Sequence, residues 1–237
     1  MEGSKYSWDL ILVSMSFCFT IAYHAFLWHS FKNKHPLTTS IGANTMMRRK
    51  WFQMVMKDNE KNTMLVLQSL RNSIMRAILI SSLAILLNSS LAAQTNNAYK
   101  SRLLLRGPVY GSWSGPTLAL KWAVASIFLL FSFLCNSMAV GYFSDAGFLV
   151  YVAGELPSKC VQSVIERGSM LASVGARMLY VTVPLLLWMF GPMTMALASV
   201  AMVWVLYELD FASSGLMEGL SDSSTVCWRR HNDKIRK

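Results

Sequence analysis

Apolar residues gather into five blocks along the chain: Leu10–Trp28, about Ile74–Ala93, Leu118–Tyr142, Leu171–Phe190 and Pro192–Tyr207. The last two blocks form one run, Met178 to Tyr207, that holds no charged residue and is broken only by Gly191-Pro192. A helix rises about 1.5 Å per residue, so a block of this size covers most or all of the ~30 Å hydrocarbon core of a bilayer. The pattern predicts an all-α polytopic membrane helix bundle, one membrane domain over residues 1–237. It has five spans if Gly191-Pro192 is a tight reversal, and four if the last run is one bent helix, since Pro and Gly also occur inside continuous membrane helices.

Between the first two blocks lies a basic segment with Arg48, Arg49, Lys50, Lys57, Lys61 and Arg71. Inside it Met47, Trp51, Met54 and Val55 recur at helical spacing. That spacing predicts an amphipathic helix over residues 41–57 lying at the membrane surface. Arg48, Arg49, Lys50 and Trp51 then face anionic lipid. Docking against a soluble partner is the alternative. In the second span Ala77, Ser81, Ala84 and Asn88 form a narrow small and polar face, suited to close helix packing or to lining water. The stretch from Phe143 to about Met170 reads as a polar loop, and residues 211–237 as a basic tail.

Charge distribution supplies an orientation. The chain carries 22 Lys and Arg against 12 Asp and Glu. With five spans and the amino terminus on the luminal side, 15 Lys and Arg fall in cytosolic segments and four on the opposite side. Cytosolic loops retain such residues. The basic excess therefore reads as membrane topology, and nucleic acid is not expected as a partner because no nucleic-acid module is visible. The four cysteines show no metal-ligand or disulfide spacing.

Catalytic motifs are missing, the four histidines are scattered, and the span interiors hold no acid, so neither an enzyme nor a cofactor is expected. A carrier needs repeats and broken helices around a midplane site, for which the chain offers little material. A channel needs only rings of polar or acidic groups, and symmetric assembly of a small subunit supplies a ring from each single residue. Asp9, Ser81, Asn88, Asn136, Asp145, Glu155, Glu208 and Asp210 are the candidates for such an ion pathway, each also readable as a packed or solvated helix residue.

Several segments carry a family resemblance. They are Arg48-Arg49-Lys50-Trp51, Met56 to Lys61, Leu67 to Met75, Glu166-Arg167-Gly168, Val174-Gly175-Ala176-Arg177, Pro184 to Pro192, Leu206 to Asp210, Ala22-Tyr23-His24 and Asp9. Together they resemble the plant branch of domain-of-unknown-function family five-nine-nine, which implies a four- or five-pass membrane protein. Gly141 stands where the family pattern often has an arginine. The size and layout are also similar to those of pentameric calcium-permeable channels of the plant endoplasmic reticulum, with no pore residue carried over. The expectation is a homo-oligomeric cation channel of a plant endomembrane, calcium-permeable and defence-linked. It would sit in the endoplasmic reticulum or, alternatively, the plasma membrane. The rival readings are a non-conducting adaptor that recruits a partner through its basic cytosolic segments, and a small-solute carrier.

Overall fold

The computed structural model describes residues 2–33, 40–55, 63–101, 115–152 and 158–211, with side chains over 11–30, 42–55, 63–97, 119–151 and 159–211. These residues form six helices: α1 (Glu2–Asn33), α2 (Ser40–Val55), α3 (Thr63–Ser101), α4 (Gly115–Val152), α5 (Ser158–Leu187) and α6 (Pro192–Phe211). All except α2 are long and apolar enough to cross a membrane. Five spans, not four, therefore follow from the last apolar run. Its break is built at Gly191, whose φ of 152° only glycine adopts without strain. Pro192 opens α6, where its fixed φ suits the first helical position and its missing N–H is not needed. The Thr194 hydroxyl lies 2.8 Å from the Leu187 carbonyl and 2.7 Å from that of Gly191, bracing the reversal.

α4 is the central element, packed along α3 on one side and α5 on the other. With 39 and 38 residues, α3 and α4 are about 58 and 57 Å long, nearly twice the hydrocarbon thickness. The expected loop Phe143 to Met170 is thus mostly helix: α4 runs on to Val152 and α5 begins at Ser158. Past the expected spans the outer faces are mixed, with Ser144, Asp145 and Arg167 beside exposed Met64, Phe148 and Tyr151, and an inward apolar row continues through Phe143, Ala146 and Val150 on α4 and Val161 and Ala172 on α5. With Val66 and Leu70 of α3 and Phe52 and Val55 of α2 these residues make one core cluster. A second cluster, with Val13, Ala84, Leu91, Leu129, Leu179 and Met195, fills the span region. The bundle thus has two apolar cores, one in the span region and one around Phe143 at the α2 end.

Several polar groups in the span layer find partners within the helices, as a solvent without hydrogen bonds favours, whereas Ser81 Oγ, Asn136 Oδ1 and the indole nitrogens of Trp122 and Trp188 are buried without one. The hydroxyls of Ser16, Thr20, Thr182 and Ser199 each donate to the carbonyl four residues earlier. Ser132 donates across to the Gly175 carbonyl at 2.6 Å, and Asn136 Nδ2 donates to the Ser132 carbonyl at 2.8 Å. α4 and α5 approach so closely there that a Cβ on Gly175 would collide with the Asn136 amide. By contrast, a Cβ on Gly141 would meet nothing within 4 Å.

These two glycines give opposed predictions. Gly175→Ala should destabilise the detergent-solubilised protein by about 1–3 kcal/mol through overpacking. Gly141→Ala should be neutral or stabilising by up to about 1 kcal/mol, the helix-propensity gain. Thermal unfolding followed by tryptophan fluorescence checks both; equal effects would contradict the packing described.

Candidate functional site

The chemistry of the described residues concentrates where α2 meets the bundle. α2 has two faces. Phe52 and Val55 are buried against α3, α4 and α5. Met47, Trp51 and Met54, at 45%, 38% and 70% exposure, point away. The row expected to share one apolar face is therefore split, with Val55 turned inward. The cations are split as well. Arg49 Nε and Nη2 donate to Glu166 Oε1 and Oε2 of α5 at 2.9 and 2.8 Å, a two-pronged pairing that guanidinium geometry favours. That hydrogen bond, and then the carboxylate charge, raise the Arg49 pKa above its ordinary value. Gln162 supports the pair by donating to Glu166 Oε1 at 2.7 Å. Arg49 is thus paired with Glu166 on the neighbouring helix while its side chain stays 46% exposed; Lys50 and Trp51 are exposed as well.

A second polar junction ties three spans together. Asp210, near the end of α6, is 3% exposed. Its Oδ1 accepts from Arg177 Nη2 of α5 at 2.6 Å, and its Oδ2 accepts from the Tyr23 hydroxyl of α1 at 2.6 Å. Arg177 and Asp210 are both largely removed from solvent, with side-chain exposures of 17% and 5%. Such a pair endures only when each charge is fully answered by the other and by further hydrogen bonds. Tyr23, Val203 and Leu206 pack beside it, and Phe26 lies 6.1 Å from Phe211, so α1 and α6 run together here.

Between these junctions opens a cleft of about 460 Å³ walled by α2, α3, α5 and α6. Arg48, Arg76 and Arg177 line it, along with Asn44, Ser173 and Asp210. Arg48 keeps an open side, yet partial loss of water and then the like charge of Arg76 hold its pKa below the usual arginine value. No carboxylate of the described residues pairs with Arg48 or Arg76. The Nη1 of Arg177 is buried without a hydrogen-bond partner.

The residues proposed for an ion pathway lie apart. Asn136 is fully buried between α4 and α5, Ser81 is buried, and Asn88 Oδ1 accepts from Ser126 of α4 at 2.5 Å. The small and polar face of α3 therefore packs against another helix of the same chain. Asp145 and Glu208 are exposed, whereas Asp210 is held by Arg177 and Tyr23. Asp9 lies on α1 with its side chain outside the described residues, and Glu155 and the basic tail lie outside them altogether.

Sequence reasoning missed Tyr23, Arg76, Glu166 and Arg177 as site residues. One signal was present: in an antiparallel pair joined at Gly191, Arg177 and Asp210 stand toward the same end of the two helices. Fold and site together define a five-span α-helical membrane protein with a helical extension beyond the spans and a basic cleft where the two meet. A family model described as "Protein of unknown function, DUF599" matches residues 11–215, and the chain belongs to that family. No curated protein and no solved structure was found to match it.

The relative weight of the α2 contacts is testable. An exposed ion pair contributes about 0.2–1 kcal/mol, whereas truncating a buried Phe costs about 3–5 kcal/mol. Phe52→Ala should lower hydrogen-exchange protection of α2 by more than about a hundredfold, and Arg49→Ala by about fivefold or less. The reverse order would show that the ion pair, not the apolar contact, holds α2.

Proposed function

We propose that the protein is a non-enzymatic, non-conducting membrane adaptor working through its α2 end. The extramembrane layer carries this reading: α3, α4 and α5 run on past the expected spans and, with α2, enclose a core of their own around Phe143 and Val66. A protein that only conducted or carried solute within the bilayer would have no need of that layer. Of the polar groups a conduit would require in the span layer, Asn88 accepts from Ser126 of α4, and Asn136 is fully buried, donating to the Ser132 carbonyl of its own helix. The exposed row Met47, Trp51 and Met54 with Lys50 beside it supplies an apolar surface with a cation, fit for an acidic amphipathic partner. The excess of Lys and Arg on this side supports a cytosolic location for α2.

A homo-oligomeric, calcium-permeable cation channel is the second reading. One observation favours it: Ser137, Gly141 and Asp145 of α4 lie on an outward, open row that a ring of copies would bring to an axis.

Planar-bilayer recording of the purified protein separates the two. The adaptor reading expects no unitary cation current. Unitary currents that disappear in Asp145→Asn would overturn it and establish the channel.

A further inference from the structure

The cleft at the α2 end poses an electrostatic problem that the described residues do not solve. Three guanidinium groups line it, from three different helices: Arg48 on α2, Arg76 on α3 and Arg177 on α5. The one carboxylate in its wall, Asp210, has an oxygen committed to Arg177 and the other to Tyr23. Counting Asp210 against the three arginines leaves a net charge of +2 in the cleft. Arg48 and Arg76 are exposed, so water screens part of their mutual repulsion, but the partial desolvation of Arg48 and the like charge of Arg76 still disfavour the charged state of Arg48. The buried Nη1 of Arg177 adds a donor with no acceptor. A buried donor left unmade costs more than an ordinary hydrogen bond contributes.

We propose that this cleft is a binding site for a phosphate-bearing anion, held by Arg48, Arg76 and Arg177. Arginine is the residue type whose planar fork of donors matches phosphate oxygens two at a time. Asn44 and Ser173 add uncharged polar groups to the same wall. At about 460 Å³ the cleft falls within the ~300–1,000 Å³ typical of small-molecule sites and takes more than a bare ion. Its rim is amphipathic. Met170, Tyr180 and Leu209, at 50%, 42% and 61% exposure, lie on the outer side of α5 and α6. A phosphorylated glycerol headgroup fits this arrangement, with the phosphate on the arginines. It can arrive as an anionic phospholipid, its acyl chains running over Leu209 and Tyr180, or as a free phosphorylated compound. The site is independent of whether the α2 end recruits a protein.

The full chain in nanodiscs tests the site. One set is made of phosphatidylcholine doped with phosphatidic acid; the other is pure phosphatidylcholine with glycerol 3-phosphate added in solution. Binding is read by native mass spectrometry and by the shift in thermal unfolding. Wild type should retain phosphatidic acid, and Arg48→Gln with Arg76→Gln should weaken retention about tenfold or more. Lys50→Gln, a single charge loss on the exposed face of α2 outside the cleft, should leave it unchanged. Arg76→Lys keeps the charge and loses the fork, so it should fall between wild type and the double variant, which also guards against a folding artefact. Stabilisation by glycerol 3-phosphate in neutral lipid, lost in the same double variant, assigns the site to a soluble phosphate. Binding of neither probe overturns the proposal. So does equal weakening by Lys50→Gln, which would reduce the effect to diffuse surface charge.

Discussion

The buried pairing of Arg177 with Asp210 is the interaction on which the arrangement at the α2 end depends. Removing either charge from water costs several kcal/mol, and a lone charge left there would be the most destabilising feature of the bundle. Asp210 recovers that cost through two bonds of 2.6 Å, from Arg177 and from Tyr23. Three spans that are distant in sequence are thereby held at one point: α1, α5 and α6. The consequence reaches the cleft. With Asp210 committed, nothing acidic remains in its wall to offset Arg48 and Arg76, and the cleft is basic because the junction beside it is neutral.

Lipid imposes a second constraint, and it accounts for the layering. In the span layer water is not there to pair polar groups, so serines and threonines such as Thr182 and Ser199 bond back to their own helix and Asn88 reaches Ser126, while Ser81 Oγ and Asn136 Oδ1 stay buried without a partner. Tight approach then does the work that hydrophobic burial does elsewhere, as at Gly175 against Asn136. Past the expected spans a second regime begins, in which the same helices keep an inward apolar row through Phe143, Val66 and Val161. α2 closes that row with Phe52. The cleft lies where one regime gives way to the other.

Much of the span architecture was legible in the sequence. Apolar runs mark the five spanning helices, and Gly191-Pro192 marks the break between α5 and α6, because only glycine reaches that φ without strain and proline readily starts a helix. The small face of Ala77, Ser81, Ala84 and Asn88 was visible too, suited to close helix packing first and to lining water second. Helix ends were not legible from hydropathy: the loop expected at Phe143 to Met170 is mostly helix because an apolar row of period 3.6 survives in a polar average. The site was largely hidden. Arg49 and Glu166 are 117 positions apart and Tyr23 and Asp210 are 187 apart, and nothing local in either pair announces the other. The residues that carry the family resemblance, Tyr23, Arg49, Glu166, Arg177 and Asp210 among them, converge at these two junctions, a fact that spacing alone did not reveal.

The Arg177–Asp210 junction is tested most directly by a double-mutant cycle on thermal stability in detergent. Arg177→Met and Asp210→Leu should each cost about 3–5 kcal/mol, because each strands the other's charge. The double variant, with no charge left to strand, should cost less than the sum by about 1 kcal/mol or more. Additive losses, or two near-neutral single variants, would contradict a buried ion pair at this point.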